Sequence, residues 1–316
     1  MNAGRASRLG PLRPGDRVGL VATAGPPVGG QLDRAADLLS SWGLTPVRYP
    51  SATSRHSWAG YLSGEDAMRS KDFQDAWCDR AIAGIFCIRG GYGTVRMLDA
   101  LDADRMRAAA SKPVYGSSDV TAVLEWLRER LGAAGWFTPM VATDALLEDP
   151  ASIEYLRSAV LEDLPARRWS TPSARTLVPG SATGTLIGGN LSLLAMTLGE
   201  RGRGTVDNTG TIALLEDVTE DTYRIDGYLR SLLRAGWFDG VVGVALGSWL
   251  DCGPPAEIRS LFMETLGPLG IPIAGELGFG HCPAAHSIPL GVRGSLLAHR
   301  DRPPELVVEF CGADSD

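Results

Sequence analysis

Along the first half of the chain, short apolar runs alternate with longer segments in which apolar positions recur at helical spacing. Val18 to Ala22, Thr45 to Tyr49, Ile85 to Ile88 and Val114 to Tyr115 have the length and the β-branched or aromatic content of strands. Leu32, Ala35, Ala36 and Leu39 mark one helix, and Met68, Phe73 and Trp77 a second. Val95, Leu98 and Leu101 mark a third, and Val120, Val123, Leu124 and Leu127 a fourth. Strand followed by helix, repeated to about residue 145, predicts a parallel sheet with helices on both faces and ligands at the carboxyl ends of its strands. Residues 148–180 are proline-rich and weakly periodic, which predicts a linker between an N-terminal domain, 1–147, and a C-terminal domain, 181–316. In the second domain the runs Thr211 to Leu215, Val241 to Gly247, Ile271 to Ala274, Leu290 to Leu297 and Leu306 to Phe310 read as strands. Helices are expected after Asn190, on the face Ile225, Leu229, Leu232 and Leu233, and over Ile258 to Leu266.

The chemistry-bearing residues fall where this pattern places turns. Val114 and Tyr115 run into Gly116, and Ser118 sits where the following helix begins, so strand, sharp turn and helix meet at one hydroxyl. That arrangement presents a serine nucleophile and frees the Asp119 N–H for a developing oxyanion. It equally fits a plain helix cap, with Asp119 favouring the positive end of the helix dipole. Ile85 to Ile88 leads into Arg89-Gly-Gly-Tyr-Gly93, whose glycines fit either a tight strand-to-helix turn or a second oxyanion donor at Gly91. Gly90 and Tyr92 of this turn, with Asn190, are the candidate substrate contacts, and Asn190 fits a helix cap as well. Thr211 to Leu215 ends on Glu216-Asp217, with Glu220 close behind. Of four histidines, His281 alone lies in a glycine-rich turn after an apolar strand.

Composition narrows the choices. With 316 residues, 44% hydrophobic and 21% charged, the chain can bury a substantial core as a globular protein. The net charge of -7, without a basic cluster interleaved by aromatics, argues against nucleic acid as a partner. No stretch reaches the roughly 20 apolar residues of a membrane span, and Met1 to Pro14 carries no apolar run, so a cytoplasmic protein without membrane contact is expected. The five cysteines, Cys78, Cys87, Cys252, Cys282 and Cys311, lack CxxC spacing, which fits a reducing compartment. There is no HExxH or HxH, and the loop Gly25 to Gly30 lacks both GxGxxG and the P-loop pattern, so neither a metal nor a nucleotide cofactor is expected.

Taken together, six segments resemble the LD-carboxypeptidases, serine peptidases that include the microcin C immunity proteins. They are Pro14-Gly-Asp16 with Ala24-Gly-Pro26, Arg89-Gly-Gly-Tyr-Gly93, Gly116-Ser-Ser-Asp-Val-Thr121, Gly184 to Leu191, Leu215-Glu-Asp-Val-Thr-Glu220 with Tyr223-Arg-Ile-Asp226, and Phe279-Gly-His281 with Pro289-Leu-Gly291. They span nearly the whole chain in the family's order. The resemblance implies a flavodoxin-like N-terminal α/β domain and a C-terminal domain of mixed sheet and helices. It also implies a Ser-His-Glu triad assembled across the domain interface, on which Ser118 matches the nucleophile, His281 the base and Glu216 the orienting carboxylate, with Glu220 as runner-up. Asp119 and Gly91 would supply the oxyanion hole, no cofactor is needed, and a homodimer is expected. Ser117, Phe137, Thr138 and Gly227 depart from the family pattern at positions that bear on substrate rather than on chemistry.

Three functions follow as expectations. The first is hydrolysis of the bond before the terminal D-Ala of cell-wall tetrapeptides in murein recycling. The second is cleavage of an aminoacyl- or peptidyl-nucleotide antibiotic for self-immunity, for which Trp169 is the aromatic placed to stack on a base. The third is a non-catalytic two-lobed binding protein, in which Ser118 is only a cap and the accompanying His281 and Glu216 have no purpose.

Overall fold

Val18, Leu20 and Val21 are wholly buried, as expected of a strand covered on both faces, and they belong to β1 (Arg17–Val21). The computed structural model describes residues 9–163, 166–200 and 206–309, and the chain divides into two units. The first comprises residues up to Glu162 together with Ser287–Pro289, and the second Asp163–His286 with the remainder of the chain from Leu290.

In the first unit β1 is followed by α1 (Gln31–Ser41), β2 (Thr45–Arg48), α2 (Asp66–Cys78), β3 (Ile82–Cys87), the short α3 (Thr94–Met97) and α4 (Ala103–Arg107). The run continues with β4 (Val114–Gly116), α5 (Thr121–Leu131), β5 (Gly135–Phe137), α6 (Asp144–Leu147) and α7 (Pro150–Leu161). Strands β1 to β5 pair in parallel, in the order β2-β1-β3-β4-β5, the flavodoxin-like arrangement. Each connection is a crossover through helix, the only route by which consecutive strands can run parallel. Leu32, Ala35, Ala36 and Leu39 form the buried side of α1. Phe86 of β3 stacks on Tyr115 of β4 with ring centroids 4.4 Å apart, a pair worth about 0.5–1.5 kcal/mol beyond its burial.

The second unit contains β6 (Ala166–Trp169), β7 (Arg175–Val178), β8 (Gly180–Asn190), α8 (Leu191–Thr197), β9 (Thr211–Val218), α9 (Thr222–Arg234) and β10 (Val241–Leu250). It goes on through α10 (Pro255–Thr265) and β11 (Ile273–Gly275). Next come β12 (Ile288–Leu290), which edges the first unit's sheet beside β5, and then β13 (Arg293–Ala298) and β14 (Glu305–Glu309) of the second sheet. That sheet is mixed, in the order β6-β14-β13-β8-β9-β10-β11-β7. Strands β8 to β11 run parallel at its centre, and antiparallel strands close both sides. Ile225, Leu229 and Leu232 of α9 pack into a core with Ile187, Leu215, Val244 and Trp237.

The structure differs from the sequence reading in several places. The apolar pattern predicts neither β5, which is short, nor β8, which is rich in glycine and threonine. The stretch 148–180 carries α7, β6 and β7 rather than a bare linker, and the division between units falls at Glu162. Its prolines had suggested a break, yet Pro150 opens α7 behind Asp149, whose carboxylate accepts from the Ala151 and Ser152 N–H groups, which is start chemistry. The run Leu290 to Leu297 is two strands, because Gly291, at φ 77°, turns the chain between β12 and β13. Phe310, expected to end the last strand, lies outside the described residues. No helix among the described residues is long and apolar enough to cross a membrane.

Gly227 sits inside α9 with open space where a Cβ would stand. Gly227→Ala should therefore raise unfolding stability by about 0.5–1 kcal/mol, read as a higher urea midpoint at unchanged m. A lower midpoint would show that this position holds a contact in solution.

Candidate active site

In the first unit the strand-to-helix turn after β4 is built around Ser118. Ser117 is extended, and Ser118 has φ 54°, a left-handed backbone that side chains seldom adopt and that surrounding structure must enforce. A 3-10 turn, Ser118–Val120, then leads into α5, and no side-chain hydrogen bond caps either element. The cap reading of Ser118 therefore has no support in the geometry. Gly90 lies against this elbow, since a Cβ there would stand 3.0 Å from the Ser118 Cβ and 3.1 Å from its Oγ. A side chain there would crowd the elbow and force one of the two turns to give by a few tenths of an ångström. The same point is 3.7 Å from the Asp119 nitrogen, so both proposed oxyanion donors border one small region. Gly91 is exposed, at φ 104°, and among the described residues no hydrogen bond takes up its N–H.

Asp119 faces inward. Its Oδ2 accepts from the Thr94 N–H at 2.7 Å, tying the elbow to the end of the glycine turn. Burial pushes its carboxyl up to about 6, against hydrogen bonds from Thr94 and Gly93 and the charge of Arg69. The Thr94 and Thr23 hydroxyls are 3.0 Å apart, and Arg69, fully buried, donates to the Thr23 carbonyl at 2.7 Å. The chain segments after β1, β3 and β4 are thereby held in one polar network.

In the second unit, register sets Asn190 at the end of β8 beside Glu216 near the end of β9. The Glu216 carboxylate is fully buried. Its Oε2 is 2.7 Å from His281 Nδ1 and accepts from the His281 N–H at 3.2 Å, while Oε1 accepts from Asn190 Nδ2 at 3.2 Å. The His281 loop is pinned to β10 by Ser248 N–H to the Phe279 carbonyl and Leu277 N–H to the Leu246 carbonyl. A Cβ at Gly280 would come within 2.5 Å of Glu216 Oε2, so the residue before His281 must be glycine for this approach. Burial by itself lowers the imidazole pKa, but the charge and hydrogen bond of Glu216, aided by Asp217, outweigh it and raise the pKa of His281. Asp217 is pushed up to about 6 by its own burial and then by Glu216, although Val218, Ser192 and Asn190 donate to it. Glu220 is engaged elsewhere, by the Tyr228 hydroxyl at 3.4 Å and Arg224 at 3.5 Å.

Ser118, Asp119, Gly90, Gly91 and Tyr92 thus belong to the first unit, and Glu216, His281 and Asn190 to the second. Within each unit the residues come together at the ends of parallel strands. Asn190, expected as cap or substrate contact, is 2% exposed, and it is the cap of α8. Its Oδ1 accepts from Ser192 and Leu193, and its amide serves Glu216 and Asp217, so it acts as a brace. Trp169, the proposed stacking aromatic, is 5% exposed within β6 and has little ring face to offer a base. Thr138 is buried and shares a 2.8 Å hydroxyl contact with Ser287 in the first unit. Sequence reasoning missed Arg69, Thr94 and Asp217. Only the position of Asp217 beside Glu216 gave any signal, because the groups through which Arg69 and Thr94 join the elbow network, Thr23 and Asp119, lie far along the chain.

Residues 18–138 match the family described as LD-carboxypeptidase N-terminal domain, and residues 183–296 the one described as LD-carboxypeptidase C-terminal domain. A Streptomyces coelicolor protein carrying a provisional carboxypeptidase name is 44% identical over 285 residues, covering 90% of this chain and 91% of the relative. The murein tetrapeptide carboxypeptidase of Pseudomonas aeruginosa is 30% identical over 258 residues, 77% of this chain and 81% of its own. Among solved structures, the microcin C7 self-immunity protein in complex with aspartyl sulfamoyl adenosine superposes with a TM-score of 0.82 at 21% identity, covering 95% of this chain and 98% of that one. At that identity the likeness is one of fold.

Replacing Glu216 by Gln removes the larger charge that raises His281 and leaves burial opposed mainly by Asp217, so the imidazole should titrate at a lower pH than in wild type. Histidine NMR titration of wild type and Glu216→Gln checks this. An unchanged midpoint would mean that Glu216 does not govern the ring.

Proposed function

The chain belongs to the LD-carboxypeptidase family, and on that premise we propose that it removes the terminal D-Ala from cell-wall tetrapeptides in murein recycling, with Ser118, His281 and Glu216 as its triad. The observation that carries the reading is the buried Glu216 carboxylate on His281 Nδ1. A carboxylate so placed holds the tautomer in which Nδ1 bears the proton and Nε2 keeps a lone pair, and it stabilises the imidazolium that forms when Nε2 takes a proton.

In this reading His281 Nε2 accepts the Ser118 proton as the oxygen adds to the carbonyl carbon of the residue before D-Ala. The oxyanion is held by the N–H groups of Gly91 and Asp119, each donor worth roughly 3–4 kcal/mol in the transition state. The imidazolium then returns the proton to the departing D-Ala nitrogen, leaving an ester on Ser118. Water, deprotonated by the same imidazole, hydrolyses the ester and restores the serine. Gly90 and Tyr92 border the substrate, while Asn190 acts on it only through Glu216. The reading carries with it a cytoplasmic enzyme working as a homodimer, without cofactor.

A second reading keeps the triad and changes the substrate to an aminoacyl or peptidyl nucleotide. The fold likeness to the self-immunity protein supports it. The burial of Trp169 weighs against it, as does the murein peptide named for the 30%-identical relative.

The test is release of D-Ala from L-Ala-D-Glu-diaminopimelate-D-Ala by wild type and Ser118→Ala. Ser118→Ala should lower kcat by more than about a thousandfold. Because the base must be neutral and its pKa is raised, wild-type kcat/KM should fall on acidification with a midpoint above about 6.5. A wild type inert on tetrapeptide but hydrolysing an aminoacyl sulfamoyl adenosine through Ser118 would hand the site to the second reading.

A further inference from the structure

In the first unit a cleft of about 840 Å³ opens beyond the carboxyl ends of β1 and β3, at the point where the strand order reverses. Open parallel sheets take their ligands at such a switch point. Two guanidinium groups line it. Arg55 donates only to carbonyls, of Ser54 at 3.2 Å and Pro27 at 2.9 Å, and Arg89 donates to the Pro26 carbonyl at 2.7 Å. Among the described residues neither has a carboxylate partner, and no lining residue of the cleft is acidic. Each guanidinium presents five N–H donors, so most of this donor capacity is unused.

The cleft also has an aromatic border. Tyr61 and Tyr92 line it with ring centroids 6.1 Å apart, and Trp58 stands 6.4 Å from Tyr61. All three rings are substantially exposed, at 51%, 40% and 73% in that order. Exposed rings beside unpaired cations suit a ligand that is part aliphatic and part anionic. The cleft is continuous with the proposed reaction centre, because Gly91 lines it and Gly90 abuts Ser118.

We infer that this cleft is a carboxylate subsite, in which Arg55 and Arg89 hold one carboxylate of an acidic peptide and the rings of Tyr61 and Tyr92 border its aliphatic stretch. Planar two-donor recognition of carboxylate is what arginine does better than lysine. The identity of the peptide rests on the proposed carboxypeptidase activity, whereas the anion chemistry of the cleft does not.

The experiment measures binding by calorimetry to the Ser118→Ala protein, which turns nothing over. Its ligands are the free-acid tetrapeptide and three versions amidated singly at the D-Glu, the diaminopimelate or the terminal D-Ala carboxylate. Arg55→Gln in the same background should weaken the free acid by about ten- to a hundredfold. One amidated peptide should already be weak and lose nothing further, which identifies the carboxylate held. Arg55→Lys, keeping the charge, should fall between. In the Ser118 enzyme, Arg55→Gln should act on KM far more than on kcat.

No binding at all, an unchanged affinity, or an equal loss on all four peptides would overturn the subsite. Arg55-dependent binding of the acidic peptide by an enzyme that never releases D-Ala would instead refute the reaction and leave the subsite standing.

Discussion

The arrangement of the second unit follows from having placed a carboxylate wholly out of water at Glu216. A buried charge is tolerated only when donors and a counter-charge meet it. Here the donors come from two separate stretches of chain. Asn190 is brought by the β8 to β9 register, and the His281 backbone and ring are brought by a loop bonded to β10. Asp217, the next residue, is buried too and is braced by the same Asn190. Asp217 is pushed up to about 6, first by its own burial and then by the neighbouring Glu216. Its folded pKa lies above its unfolded value near 4. Its contribution to stability is therefore complete below about pH 4 and is lost as the pH rises through 6.

The first unit meets a different constraint, a strained backbone. Holding Ser118 in the left-handed region costs on the order of 1–3 kcal/mol, and such strain persists only where packing and hydrogen bonds enforce it. The enforcement is visible in the close approach of Gly90 and in the Asp119 bond to Thr94. Through Thr23 and the buried Arg69 it extends to the segment after β1. The elbow and the glycine turn are therefore tied by a hydrogen bond and close packing, the restraint that the proposed oxyanion site would need.

How much of this was legible in the sequence depended on the distance over which each signal acts. Most strand and helix positions follow from local periodicity, and the alternation of strand and helix was readable because each βα unit is contiguous, while the flavodoxin-like arrangement was implied only by the family resemblance. Ser118, Glu216 and His281 stood out because each ends an apolar run in a turn, and six motifs in order made the family visible. Proline misled at 148–180, since the same residue that breaks a helix also opens one, and the capping carboxylate of Asp149 decided between them.

By itself, then, the sequence determined the fold class, the strand ends and the residue types available for chemistry, because these depend on neighbours along the chain. Tertiary structure alone decided that Asn190 is a brace and that Trp169 is covered, and it put His281 on Glu216, the carboxylate the family resemblance had implied, while Glu220 is engaged elsewhere. It also decided that Arg55 and Arg89 share one cleft. Each of these turns on strand register or on loop contacts between residues remote in sequence. A one-residue change of register would redirect every side chain without altering the local pattern that sequence reading detects.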